Sequence, residues 1–324
     1  GAGNTALGTS SLGSNTTASD NTAVGFESLK LNTTGASQAA VGCGTLKANT
    51  TGGGNTAIGG NATLDDNTTG SNNVAVGNNA LDFNTTASDN TALGSGASYA
   101  NTTGANNVAV GRKALFLNTT ADYNTAVGFC SLKNSTTGCQ NTMVGAFSGD
   151  GITTGRYNVG VGVHAVGSTT DAEGNTGLGY NALFANTTGD NNTAVGSFAL
   201  DTNTSGNSNT AVGQNALTST TTGSCNTAVG KESGDSVTTG YENALHGWKS
   251  GDQLNVGYCN TMLGGYAGHT NTSGYCNTYV GRGAVGNASD TNNQVVIGTV
   301  VTGKGTQTAF IAGTSGAYNG ANSS

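Results

Sequence analysis

A single 17-residue period governs this chain. Blocks such as Asn21–Ser37 (NTAVGFESLKLNTTGAS) and Gln38–Gly54 (QAAVGCGTLKANTTGGG) follow one another from Asn4 to residue 293, 17 blocks in all. Only the block that starts at Asn55 is longer, by one residue near Thr63–Asp66. A repeat this short cannot enclose a core of its own; it is one coil of a solenoid, and stacking supplies the burial. The expected fold is all-β, a parallel β-solenoid of about 17 coils over residues 1–298. Residues 299–324, where the period fails and Thr alternates with apolar residues (GTQTAFIAGTSGA), are expected to be a cap or a transition to a stem. Gly1-Ala2-Gly3 fits the last three positions of a preceding block, so the array is expected to continue upstream.

The consensus N-T-A-V-G-x-x-A-L-x-x-N-T-T-G-x-x has a physical reading at most positions. The fifth residue is Gly in every block (Gly25, Gly42, Gly59 and onward), which implies a corner with positive φ or a tight backbone approach. Two adjacent apolar residues precede it, as in Ala23-Val24, Ala40-Val41 and Ala57-Ile58. Neighbours on a strand face opposite sides, so one of each pair fills the coil and the other points out. An outward apolar stripe requires a cover, and self-association into a homo-oligomer or fibre bundle is the simplest. The ninth residue is Leu in most blocks; where it is Gly149, Gly234 or Gly251, the twelfth changes from Asn to Ile152, Val237 or Leu254. That compensation marks an interior site, where each fully buried Val or Leu contributes about 1.5–3 kcal/mol. The first residue is Asn in every block but the one opened by Gln38, so Asn21, Asn55, Asn90 and Asn124 should stack as an amide ladder at about 4.8 Å spacing.

Composition removes several alternatives. The chain holds 55 Gly, no Pro and 8% charged residues, far from the roughly one-quarter charged content of ordinary globular domains. A polar tract without charge or Pro is not the usual disordered composition either. Net charge is −7, from 17 acids and 10 bases, with no basic stripe, so no nucleic-acid partner is expected. No run of 18 apolar residues is present, so membrane insertion is not expected.

The motif N-T-A-V-G, with Ala-Leu three residues on, resembles the head repeats of trimeric autotransporter adhesins of the YadA type and the repeats of phage tail fibres and related bacterial surface proteins. The resemblance covers residues 4–298. Val296-Ile-Gly298 and Thr306-Gln-Thr-Ala-Phe-Ile-Ala-Gly313 look like the sequence preceding the C-terminal stem and chaperone region of tail-fibre proteins. The resemblance implies a left-handed parallel β-roll, a homotrimer and attachment to surfaces. It therefore implies an extracellular setting, on a cell surface or virion, with a cell-surface glycan or protein as receptor.

No catalytic constellation is visible, and no motif calls for a cofactor or metal. Cys259 and Cys276 hold the same place in successive blocks, inside disulfide range, although stacked side chains point parallel; a disulfide and a reduced pair both remain open. Cys130 and Cys139 share a block and could bridge one coil. His164, His246 and His269 fall at different block positions and assemble no metal cluster. Asp235 and Asp252 stack, with Asp82, Asp150 and Asp201 at the same place elsewhere; a solvated turn is expected there rather than a hydrolytic dyad or calcium site. The Asn-Thr-Thr triplets opened by Asn15, Asn32, Asn49, Asn84, Asn101, Asn118 and Asn186 read as turns, or as glycosylation acceptors in a eukaryotic secretory setting. Tyr241, Trp248, Tyr258, Tyr266 and Tyr275 crowd the C-terminal blocks and form the expected glycan contact, or else broaden the core or an interface. The function expected is a structural fibre or adhesin shaft, not an enzyme. An ice-binding solenoid is an alternative, weakened because adjacent Thr-Thr side chains face opposite ways. A tail-spike glycan-binding or depolymerising protein is another.

Overall fold

The computed structural model describes the backbone of residues 1–313 and 316–321. Every regular element among these residues is a strand, and no helix long and apolar enough to cross a membrane occurs among them. The chain divides into two compact units, Gly1–Val163 and His164–Ser324. The first unit carries ten three-residue strands, from Thr5–Leu7 to Val159–Val161. Within it each strand pairs in parallel with the next, one period away, so Val24 lies opposite Val41 and Val41 opposite Ile58. The stacking inferred from the repeat is therefore present. The second unit carries eight such strands, from Thr176–Leu178 to Val295–Ile297, also parallel and in register.

Ten and eight strands make eighteen turns, one more than the 17 blocks read from sequence. The additional turn is opened by Gln294, whose backbone N–H donates to Asn277 Oδ1 at 3.0 Å as an Asn would. Beyond it the step shortens: Val295 pairs in parallel with Ala309, inside the strand Thr308–Gly313. That strand then pairs antiparallel with Gly316–Ala321, so parallel stacking gives way to a hairpin.

In the apolar pair before the corner, the smaller member goes inside. Ala23, Ala40, Ala57 and Ala75 are fully buried, while Val41, Ile58 and Leu93 keep 38%, 43% and 47% of their surface exposed. The coil is thin, and its interior is already occupied by the Leu of position nine, such as Leu29, Leu46 and Leu81. In the coils before Tyr279, larger inward residues appear at position three only where position nine shrinks: Met143 with Gly149, Leu245 with Gly251, Met262 with Gly268. A Cβ on Gly149 would sit 2.7 Å from Met143 Sδ, and one on Gly268 2.2 Å from Met262 Sδ. Interior volume is thus conserved between these coils, as close packing demands.

The corner glycine meets both conditions read from sequence. Its φ lies between 120° and 140° in every block except that of Gly59, a region closed to other residues. A Cβ on Gly25 would also lie 2.3 Å from the carbonyl oxygen of Gly42 in the next coil. The longer repeat absorbs its extra residue between Gly59 and Leu64, where Asn61 and Ala62 take positive φ, and the strands on both sides keep register.

Two rows of buried asparagines, at positions one and twelve, line the stacked coils, the second interrupted at Ser135, Ile152, Thr169, Thr220, Val237 and Leu254. Position one forms the amide ladder read from sequence, with Nδ2 of Asn226, Asn243, Asn260 and Asn277 each donating to Oδ1 of the preceding Asn at 3.0–3.1 Å, and it adds side-chain-to-backbone bonds. The Asn73 Oδ1 accepts the N–H of Asn90 at 3.0 Å, and the Asn73 Nδ2 donates to the carbonyl of Ala87 at 2.8 Å, closing its own coil. A second amide-to-amide ladder lies at position twelve, where Nδ2 of Asn49, Asn67, Asn84, Asn101 and Asn118 each donates to Oδ1 of the preceding Asn at 2.7–2.9 Å. These amides are fully buried. The reading of Asn32, Asn49, Asn84, Asn101 and Asn118 as surface turn residues or glycan acceptors is corrected, because a bonded interior amide offers no free nitrogen to modify.

Candidate functional site

Three kinds of surface feature stand out on the coils: the outward face of the strands, the aromatic rows, and the titratable groups of the turns.

On the strand face, positions two and four point outward together because they flank the buried position three. In the second unit this aligns Thr193, Thr210 and Thr227 in one row and Val195, Val212 and Val229 in a parallel row. In the first unit, Val74 and Val108 replace Thr and widen the apolar stripe formed by Val41, Ile58 and Leu93. The adjacent threonines at positions thirteen and fourteen behave differently. Thr33 Oγ1 donates to the Thr50 carbonyl at 3.0 Å, and only the second residue, as at Thr34, is exposed.

The five C-terminal rings separate into two rows. Tyr241, Tyr258 and Tyr275 share position sixteen and stack face to face, with centroids 4.8 and 4.9 Å apart and planes within 5°. Trp248 and Tyr266 meet edge to face at 4.8 Å and 67°. The faces of Tyr258 are consumed by its neighbours, so that row offers mostly ring edges. Trp248, 51% exposed, is the ring best placed to lie against a sugar.

The turn carboxyls are less wet than expected. Asp82 is buried and Asp201, Asp235 and Asp252 are half-buried, and burial holds all four above the ordinary range. Asp235 is raised further by the Asp252 charge stacked beside it. The fully solvated turn is therefore corrected. Glu27 is held below its usual range by hydrogen bonds from Lys30 and Lys47, at 2.6 and 3.0 Å.

All six cysteines are free thiols, Cys130 buried and Cys139 half-buried in the same coil. The Cys259 thiol donates to Glu242 Oε2 at 3.1 Å, and that bond, aided by burial, pushes it up to about 11. Cys259 and Cys276 thus stand on adjacent coils without a bridge, and the Cys259 thiol is poorly disposed to attack. His164 packs edge-on against Phe184 at 5.7 Å, and His269 Nδ1 bonds the Tyr266 carbonyl at 3.0 Å. No group of three or more His, Cys, Asp or Glu residues among those described could hold a metal.

No family model matches the chain, and no curated protein matches it.

One feature escaped sequence reasoning altogether. Tyr99 and Phe116 both occupy position ten, one period apart, and stack at 5.0 Å with planes 7° apart. With Asn79, Ser95, Gly96, Arg112 and Lys113 they line a cavity of about 300 Å³ in the first unit. The signal was present in the 17-residue alignment, where rings and adjacent cations fall in register, but only if positions six, seven and ten are viewed as neighbours in space.

Proposed function

We propose that this chain is a structural segment of an extracellular fibre or adhesin shaft, on a bacterial cell surface or phage tail, acting as a homotrimer rather than as an enzyme. The observation that carries the reading is the outward strand face. Val41, Ile58, Leu93 and Val161 repeat on it in the first unit, and Leu178, Val229 and Leu263 in the second, each with more than a third of its surface exposed, and apolar stripes of that kind call for a protein cover. Two further copies of the same chain supply matching stripes at the same spacing. The N-T-A-V-G motif and its likeness to YadA-type and tail-fibre repeats point the same way. The mechanism is mechanical: hydrogen-bonded coils keep a receptor-binding element displaced from its particle, and several copies multiply weak contacts with a surface glycan or protein. The test is a mass measurement by light scattering. A species of three times 31.6 kDa, reduced to one by Val195→Asp with Val212→Asp, is the expected result; a wild-type monomer would sink the reading.

A second reading has one observation in its favour. The Thr193-Thr210-Thr227 row lies beside the Val195-Val212-Val229 row on one outward face, a regular array of hydroxyls and methyls that suits an ice surface better than the split Thr-Thr pairs do. It requires that face to be uncovered. Thermal hysteresis from a monomer, lost on Thr210→Lys, is its signature.

A further inference from the structure

We propose that the cavity bounded by Tyr99, Phe116, Arg112 and Lys113 binds the anionic group of an acidic saccharide, a carboxylate or sulfate carried on a sugar. The inference rests on the surface-binding reading above for its choice of a sugar, and on the cavity itself for its choice of an anion.

The cavity exists because one side chain is missing from a row. Position seven of three successive coils is Asn79, Gly96 and Lys113. Gly96 leaves a gap one side chain deep between a polar neighbour on one coil and a cation on the next. Its φ of +67° is that of the whole row, since Asn79 and Lys113 also take positive values of 56° and 55°. The glycine is therefore not demanded by the backbone; what it supplies is space. A Cβ there would meet the Phe116 ring at 3.3 and 3.4 Å, so even alanine would crowd the wall.

The lining carries two cations and no acid. Arg112 stands at position six beside Ser95, and Lys113 Nζ lies 5.2 Å from the Phe116 centroid. Tyr99 and Phe116 use facing surfaces on each other, and Phe83 closes on Tyr99 edge to face at 4.8 Å. What remains of these rings toward the cavity includes their edges, which carry the positive end of the aromatic quadrupole. Four other lysines are neutralised in pairs: Lys30 and Lys47 share Glu27, and Lys231 and Lys249 share Glu232. Arg112 and Lys113 have no carboxylate partner among the described residues. No acid lines the cavity, and Asp82 beyond it is engaged by Asn79 Nδ2 at 3.1 Å. In a chain of net charge −7, two adjacent cations that lie over rings, Arg112 5.8 Å from the Phe129 centroid and Lys113 over Phe116, offer an anion charge-assisted hydrogen bonds without a facing carboxylate. Asn79 and Ser95 leave polar groups for the hydroxyls of a sugar. The volume, about 300 Å³, is at the small end of ligand sites and fits one sugar unit.

The test is titration calorimetry on the whole chain with three probes: N-acetylneuraminic acid, a chondroitin sulfate tetrasaccharide and lactose. Binding of either acidic probe, weakening with salt, with lactose silent, is expected; which acidic probe binds distinguishes carboxylate from sulfate. Arg112→Gln should weaken that binding by about tenfold or more. Gly96→Asn, which keeps the αL conformation open to Asn and fills the gap, should abolish it while the β-sheet circular dichroism spectrum is retained. Lys47→Gln, a lysine outside the cavity, should change nothing. No binding of the acidic probes, equal binding of lactose, or equal losses in Lys47→Gln and Arg112→Gln would each overturn the site. A mass measurement on the same samples tells that failure apart from failure of the trimeric shaft, which lactose and sialic acid do not probe.

Discussion

Coils 55–123 of the first unit and coils 226–259 of the second solve one interior problem in opposite ways. In the first, position nine holds Leu81 and Leu115, which pack beside the unbroken position-twelve ladder from Asn67 to Asn118. In the second, position nine is Gly234 or Gly251 and position twelve is Val237 or Leu254, fully buried and apolar. Both are tolerated because of the carbonyl at position fifteen. In the polar coils it accepts twice, as Gly104 does from Asn90 Nδ2 and Asn101 Nδ2. In the apolar coils it keeps the position-one bond alone, as Gly240 does from Asn226 Nδ2 at 2.8 Å. One donor is enough to satisfy a buried carbonyl. A whole run of amides can therefore be exchanged for methyl groups, whereas one removed from the middle cannot. An unpartnered oxygen sits at each end of the first unit's run of position-twelve amides: Asn15 Oδ1 and Asn118 Oδ1 are buried without a hydrogen bond.

The strongest way to break this comparison is Asn84→Leu. It leaves Asn67 Oδ1 buried without its donor and forces a second large residue beside Leu81, so denaturant unfolding should show a loss of about 3–4 kcal/mol. Adding Leu81→Gly, which copies the Gly251–Leu254 pattern, should recover about 1 kcal/mol by relieving the crowding, but not the orphaned oxygen. No recovery would mean that the two interiors are not interchangeable by volume. A smaller effect is expected in the apolar region. Gly251→Leu overpacks Leu245 and Met262, whose atoms lie 3.0 Å from the added Cβ, and combining it with Leu245→Ala should return about 1–2 kcal/mol in a double-mutant cycle. Strict additivity would sink the trade between positions three and nine.

The smallest effect concerns pH. Asp235 and Asp252, stacked in the apolar coils, have folded values raised above 3.8, chiefly by burial. Between 3.8 and those raised values the folded chain keeps protons that the unfolded chain has released, so stability falls as pH rises through that window and grows as pH is lowered into it. Glu27 and Glu232, held low by lysines, act oppositely: their contribution is present above 4.5 and lost below it. The melting temperature should therefore rise by roughly 2 °C on going from about pH 7 toward about 4.5, and Asp252→Asn should remove part of that rise. A flat profile would show that these carboxyls are fully solvated after all.

The period by itself determined the parallel stack, its register, the corner at Gly25 and its equivalents, and the exchange between positions nine and twelve. These are properties of repetition: in a stacked chain a residue's nearest foreign neighbour is the same position one period on, so sequence spacing becomes spatial distance. Which of two adjacent side chains points inward could not be read, because strand alternation fixes only that they differ; Ala23 is inside and Val24 outside because Leu29 already fills the coil. The burial of Asn32, Asn49 and Asn84 was hidden for a related reason. An Asn-Thr-Thr triplet looks the same in a wet turn as in a bonded ladder, and only the path of the coil brings its amide inward. The cavity at Gly96 also needed three dimensions, since its walls come from positions six, seven and ten of different coils and its defining feature is an absent side chain.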